Sequence, residues 1–279
     1  MRYVLHLQDF RMSLETVELR KLLLHEEIIP EFLEKLVRDI ESDGMIKHPV
    51  VVDCDSLVVL DGNHRTEALK KLECCYIPVC MVDYKSPLIE VRCWYRTIEG
   101  RDYGSLAKVV EDFETVNSDW EKTFEAINTN NALAIVARGR ALISSPYKSL
   151  LDAYEALGRI ETKLRDSGFK IGYASEEAAS KGVLEGSALA YVAMPPLTKD
   201  VIIEVARSGR RFPCKTSRHI FPARPMGIDF PLLFLKDCSL DEANREFYLW
   251  VSKRQIEQIP PRSVFEDRRY DESIFLFHQ

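Results

Sequence analysis

The sequence predicts an α/β protein of the mixed α+β kind, built as two domains. Three observations carry that expectation. Strand formers at 57–60 run directly into Asp61 and Gly62, and a helix-forming stretch follows from Thr66 to Leu72. Up to residue 99, short strand patterns alternate with amphipathic helical ones across brief connections. From 100 to about 170 the pattern turns mainly helical. The expected domains are therefore residues 1–99 and 100–279, a division that 279 residues allow.

In chain order, residues 1–29 mix short apolar runs with charge and read as irregular structure or an edge strand. A helix starts at Pro30, a residue suited to the first turn. Leu33, Leu36, Val37 and Ile40 form its apolar face, and Gly44 is its stop. Residues 48–53 read as a strand, 54–56 as a tight turn, and 57–60 as the returning hairpin partner. A helix behind Arg65 ends near Cys74, a strand spans 76–84, and another spans 88–98 with Trp94 and Tyr95 in it. Long amphipathic patterns at 105–116 and 146–164 read as helices. Tyr154, Leu157, Ile160 and Leu164 mark a core face at helical spacing. Short strands are expected near 170–174 and 188–193, a helix over 199–208, a Pro-rich packed loop over 220–231, and a last helix over 240–258.

Composition narrows the function classes. The chain is 46% hydrophobic and 29% charged, as an ordinary soluble globular protein is. Its net charge of −6, from 38 basic and 44 acidic residues, argues against a general nucleic-acid binder. Seven cysteines without C-x-x-C spacing fit buried or partly buried thiols rather than zinc ligands or a disulfide framework. Neither a signal peptide nor an apolar run of membrane-spanning length is present in the sequence, so a cytoplasmic location is expected.

The sequence from Asp61 to Arg65 suits phosphate. A strand ending in Asp-Gly and turning into a helix presents backbone N–H groups and a partial positive charge to an anion. Gly62 permits close approach, His64 and Arg65 add donors, and Asp61 could hold a divalent cation that bridges phosphates. The same residues also make a common turn with an ordinary N-cap. A second polar run, Lys215-Thr216-Ser217-Arg218-His219, would place Lys215, Ser217 and His219 on one face if extended. It reads either as an anion-binding face or as a solvated edge strand. Glu26 and Glu27 lie just before the helix at Pro30, where a carboxylate serves as a general base or simply complements the helix dipole. Trp94 is core or the wall of a small-ligand pocket.

With these residues in view, the chain resembles the ParB/sulfiredoxin-like superfamily. The resemblance rests on Leu24-His25-Glu26, the helix to Gly44, the strand from His48 to Val52 and the box from Asp61 to Arg65. It covers residues 15–98 and continues over 212–225, which looks like a Lys-Thr-Thr-Arg-His segment of the free L-serine kinase branch. That branch includes archaeal serine kinases and the related staphyloferrin B precursor enzyme. Sulfiredoxins carry a reactive cysteine where this chain has Asn63. ParB proteins carry a Glu-Arg-Arg type box and a helix-turn-helix that this sequence lacks. The resemblance implies a ParB/sulfiredoxin-like N-terminal domain and a mixed, helix-rich C-terminal domain, with the active site in the cleft between them. It implies phosphorylation of free L-serine to O-phospho-L-serine with ADP or ATP and Mg2+. Glu26, or Glu27 one position on, takes the place of the general base. Asp61, Gly62, Asn63, His64 and Arg65 hold nucleotide phosphates, with Asp61 on the magnesium. Trp94, Lys215, Ser217 and His219 match the serine pocket. The family motif does not mark the adenine site, and the loop Gly44-Met45-Ile46-Lys47, with Met45 and Ile46 as contacts, is the expected place for it. No nucleic-acid or membrane partner is expected. The alternative is a ParB-like nucleotide-dependent switch that regulates or binds DNA or a partner protein.

Overall fold

The computed structural model describes residues 1–100, 102–111, 114–117, 120–265 and 268–278. Its contacts divide the chain into two units. The first comprises Met1–Val91, Lys199–Arg211 and His219–Gln279, and the second Arg92–Thr198 and Phe212–Arg218. This division differs from a single cut after residue 99. The chain leaves the first unit at 91/92, returns at 198/199, and visits the second once more for Phe212–Arg218.

The first unit is built on a mixed five-stranded sheet, in the order Tyr3–Leu7, Phe10–Glu18, Tyr76–Val82, Val50–Asp53, Val59–Asp61. Val50–Asp53 runs parallel to Tyr76–Val82, and the remaining neighbours are antiparallel. The expected irregular N-terminus is thus a hairpin whose second strand lies inside the sheet. Phe10, Met12 and Leu14 point into the core, but Glu15 and Thr16 are buried as well, which breaks the alternation a sequence reading relies on. Glu15 accepts from Arg2 Nε at 2.9 Å, and the Thr16 N–H donates to Asn244 Oδ1 at 3.0 Å.

Helix Pro30–Asp43 ends at Gly44, whose φ of 66° is left-handed, as its residue type implies. It packs against helix Asn63–Lys71. The Pro-rich stretch read as a packed loop contains a fully buried strand, Ala223–Met226. That strand lies parallel to Ser273–His278, which pairs on its other side with Gln255–Ile259. The last helix, Leu240–Ser252, stops short of residue 258 because Gln255–Ile259 is taken up by this sheet. The helix starts with a capping box between Ser239 and Glu242 and packs against Phe10–Glu18.

The second unit is a six-stranded antiparallel sheet, ordered Lys170–Ala174, Tyr95–Glu99, Ala190–Ala193, Ala134–Ala137, Arg140–Ile143, Glu114–Asn117. Helices Tyr103–Val109, Trp120–Asn130, Leu150–Asp166 and Glu176–Glu185 accompany it. The region read as mainly helical therefore holds a hairpin. Its strands are short, Ala-rich and buried, so they lack the period-2 signature of a half-exposed strand. The helix expected over 105–116 ends at Val109, and residues 112–113 lie outside the described residues. The strand expected over 88–98 breaks at Trp94 into Glu90–Cys93 and Tyr95–Glu99.

All seven cysteines are free thiols. Cys74, Cys80 and Cys93 are buried as expected, Cys214 and Cys238 are half-buried, and Cys54 and Cys75 are exposed, against expectation. No helix among the described residues is long and apolar enough to cross a membrane.

Replacing Ser239 by Ala removes the hydroxyl that accepts from the Glu242 N–H, while the backbone N–H of residue 239 still donates to the Glu242 carboxylate, and should cost about 1 kcal/mol in a urea melt. An unchanged midpoint would show that the hydroxyl cap contributes nothing to stability.

Candidate active site

In the first unit, the short strand Val59–Asp61 ends at Asp61, and Gly62 turns the chain into helix Asn63–Lys71. The helix starts at Asn63, earlier than expected, so His64 and Arg65 lie in its first turn. Gly62 has φ 107°, and a Cβ there would meet Val50 Cγ1 at 2.6 Å and Arg65 Nη2 at 3.0 Å. Only glycine fits that position. The N–H groups of Asn63, His64 and Arg65 have no carbonyl one turn earlier within the helix to receive them, as at any helix start. Asn63 is buried, and its Oδ1 has no hydrogen-bond partner.

The side chains around this turn form a network. Asp61 Oδ2 accepts from Arg65 Nη2 and from Arg224 Nη1, each at 3.0 Å. Arg65 Nη1 also donates to the carbonyls of Pro49 at 2.5 Å and His48 at 3.1 Å. Arg65 is thus turned inward and braces the turn from behind. Arg224 is buried, pairs with Glu272, and lies over the rings of Phe221 and Tyr270. The Gly227 N–H donates to His48 Nδ1 at 3.0 Å. His64 Nε2 accepts from the Ile29 N–H at 3.1 Å, which leaves Nδ1 to carry the proton when the ring is neutral.

Glu26 reaches this neighbourhood through backbone pairing. Leu23 bridges Val58 in parallel, and the Val59 N–H donates to the Leu23 carbonyl at 2.9 Å. Residues 23–26 therefore run alongside the strand that ends in Asp61. Glu26 is 8% exposed, with Oε1 3.8 Å from His25 Nε2, whereas Glu27 is exposed. Met45–Ile46 forms a two-residue strand against Phe230–Pro231, with Ile46 buried and Met45 half-buried.

His219 also belongs to the first unit. Its Nε2 lies 2.7 Å from Tyr84 Oη, its ring stacks on Phe221, and His25 meets it edge-on with centroids 5.6 Å apart. Lys199 lies over the Tyr84 ring and donates to the Ser86 carbonyl at 2.7 Å. Burial lowers the His25 pKa, partly opposed by the Glu26 carboxylate. Burial, together with His25, lowers that of His219 well below the ordinary imidazole value. Both rings are neutral near pH 7.

The other expected pocket residues lie in the second unit. The Trp94 N–H donates to the Thr216 carbonyl at 3.2 Å, and Arg218 stacks over the Trp94 ring at 5.0 Å. Lys215 is exposed and has φ 60°, outside the extended region. The strand begins only at Ser217, as Ser217–Ile220. Lys215 therefore does not share an alternating face with Ser217 and His219 as expected. Arg96, Arg224 and Tyr84 fall outside the residues expected from the sequence. Tyr84 lies between Asp83 and Lys85 and Arg96 between Tyr95 and Thr97, so no local pattern marks them.

Among the described residues, no three His, Cys, Asp or Glu side chains gather where they would hold a metal ion. Asp61 offers one carboxylate, 37% exposed, whose Oδ2 already accepts from two guanidiniums. That donor set fits a magnesium ion carried mainly by nucleotide phosphates, not one caged by protein.

Gly62→Ala should cost about 1–3 kcal/mol through strain and close contact, read by urea melts. Wild-type stability would show that the turn tolerates a side chain. The two histidines set a pH dependence. Their folded pKa values lie below the unfolded one, so the unfolded chain binds protons first on acidification. Their contribution is complete above about pH 6.5 and is lost as pH falls below it. Melts from pH 7.5 to 5 should show stability falling, with a shallower fall in His219→Gln. Equal slopes would contradict this.

No family model matches the chain. An ATP-dependent L-serine kinase from Staphylothermus marinus is 29% identical over 79% of this chain and 90% of its own length. An ADP-dependent L-serine kinase, SerK, from Thermococcus kodakarensis is 25% identical over 77% and 90%. A ParB-like protein from Sulfolobus acidocaldarius is 27% identical over 75% and 91%. Among solved structures, a free serine kinase in complex with AMP superposes with a TM-score of 0.67 at 23% identity, covering 80% of this chain and 93% of that one. C-terminally truncated SbnI from Staphylococcus aureus superposes with a TM-score of 0.66 at 20% identity, covering 86% and 95%. In sequence the chain is similar to proteins named as L-serine kinases, and it shares the fold of a solved free serine kinase.

Proposed function

We propose that the protein transfers a phosphoryl group from ADP or ATP to the hydroxyl of free L-serine, giving O-phospho-L-serine. The observation that carries this reading is the pairing of residues 23–26 along the strand that ends in Asp61. It brings a nearly buried carboxylate, Glu26, to the same strand end as a glycine turn braced by Arg65 and Arg224. The relatives named as L-serine kinases, matched over more than three-quarters of the chain, support it.

Phosphoryl transfer requires positioning and charge stabilisation more than covalent help from the protein. In this reading the start of helix Asn63–Lys71 and His64 hold the nucleotide phosphates, while Arg65 and Arg224 keep Asp61 and the turn in place. Magnesium, held by the phosphates and Asp61, would neutralise charge on the transferring group. Trp94, Lys215, Ser217 and His219 hold the serine, and the neutral His219 ring is oriented by Tyr84. Glu26 accepts the proton from the serine hydroxyl as its oxygen bonds to phosphorus. The bond from that phosphorus to the nucleotide's bridging oxygen breaks, releasing AMP from ADP or ADP from ATP. Met45 and Ile46 are assigned to the adenine. A supply of phosphoserine for cysteine or siderophore-precursor synthesis is the role this product suits.

Purified protein, L-serine and magnesium with ADP or ATP in separate reactions should form phosphoserine with at least one nucleotide. Glu26→Gln should lower turnover by about 100-fold or more and leave nucleotide affinity within about threefold, since it removes only the base. No product from folded protein that binds nucleotide would overturn the kinase reading in favour of a ParB-like switch.

A further inference from the structure

Arg96 is the only arginine among the largest fully buried side chains of the described residues. It rises from strand Tyr95–Glu99, and its partners lie in the second unit. Nε donates to Glu161 Oε1 at 2.5 Å. Nη1 donates to the carbonyls of Trp94 at 2.8 Å and Lys215 at 3.0 Å, and Nη2 to that of Cys214 at 3.2 Å. Glu161 is held in turn by the Tyr173 hydroxyl at 3.0 Å and by Arg165 at 3.4 Å.

The helix that supplies Glu161 grips the same returning segment with one stripe. Tyr154 meets Phe212 edge-on at 5.3 Å, and a Cβ on Gly158 would lie 3.2 Å from Pro213 Cγ. Tyr154, Gly158 and Glu161 are spaced to share one helix face. Phe212–Arg218 is thereby fastened by an aromatic contact, a close approach at Pro213 and two carbonyls held by Arg96. Those two carbonyls, of Cys214 and Lys215, belong to the peptide units on either side of the left-handed residue Lys215. In a trans peptide the N–H points away from the C=O. With the Cys214 and Lys215 carbonyls on the guanidinium, the N–H groups of Lys215 and Thr216 face the other side.

We propose that Arg96 is a positioning residue for the amino-acid substrate. Through these carbonyls it fixes the turn so that Lys215, Ser217 and the turn's N–H groups present a preformed seat for the substrate's carboxylate. Arg96 touches no substrate itself. This rests on the serine-kinase reading. It adds that a guanidinium fork, rather than positive charge alone, is required at residue 96, because an ammonium cannot reach a carboxylate and three carbonyls in one plane.

The test compares wild type with Arg96→Lys and Glu161→Gln, measuring steady-state kinetics and amide exchange over 212–218. Arg96→Lys should raise the KM for serine by about tenfold or more while kcat and the nucleotide KM stay within about threefold. Exchange over 212–218 should quicken. Glu161→Gln, which keeps Arg96 but weakens its anchor, should move the same two readouts less, and it carries the test if Arg96→Lys does not fold. A serine KM and exchange rate unmoved in the folded variants, or serine and nucleotide KM rising together, would overturn the proposal while the kinase reading stood. Absence of phosphoserine from wild type would defeat that reading and this proposal with it.

Discussion

The first unit depends on one carboxylate oxygen. Asp61 Oδ2 receives Arg65 from the next helix turn and Arg224 from 163 residues away in sequence. Two guanidiniums this close repel, and the Asp61 charge between them makes the arrangement tenable. Arg65 also holds the carbonyls that lead into Val50–Asp53. Glu272 and two aromatic rings fix Arg224. The five-stranded sheet, the start of helix Asn63–Lys71 and the strand Ala223–Met226 are therefore joined at a single point, and the glycine turn lies at that point.

A phosphate site gains from such bracing. Backbone N–H groups bind an anion well only when they need not reorganise to meet it. Arg65 is oriented inward, onto Asp61 and the Pro49 and His48 carbonyls, and in the proposed reading it supports the turn, where the sequence reading assigned it to the phosphates. The second unit uses the same principle at Arg96, where a buried guanidinium gathers carbonyls and so determines the orientation of a turn. In both places an arginine orders backbone, and in the proposed reading that backbone meets the substrates.

These two arginines also show where sequence reading stops. Helix Pro30–Asp43 was legible because Pro30 and Gly44 punctuate it locally, and the Asp61-Gly62 turn because its residue types fit few other conformations. Strand Phe10–Glu18 was obscured by Glu15 and Thr16, whose partners Arg2 and Asn244 lie outside the strand. The hairpin of Ala134–Ala137 and Arg140–Ile143 was obscured by alanine and burial on both faces. At the site, Glu26 and the residues from Asp61 to Arg65 stood out through motif and resemblance. The grouping of Lys215 with Ser217 and His219 assumed an extended chain that the left-handed Lys215 does not follow. Arg96 and Arg224 matter through partners distant in sequence, and no local pattern marks such residues.

The central claim is that the turn at Gly62 is a phosphate cradle. The most direct test titrates wild-type protein with ADP and with adenosine, in magnesium, by calorimetry. The account predicts ADP binding tighter by about 100-fold or more, since charge-assisted hydrogen bonds to phosphate supply the difference. Equal affinities would contradict it, because the phosphates would then contribute nothing to binding.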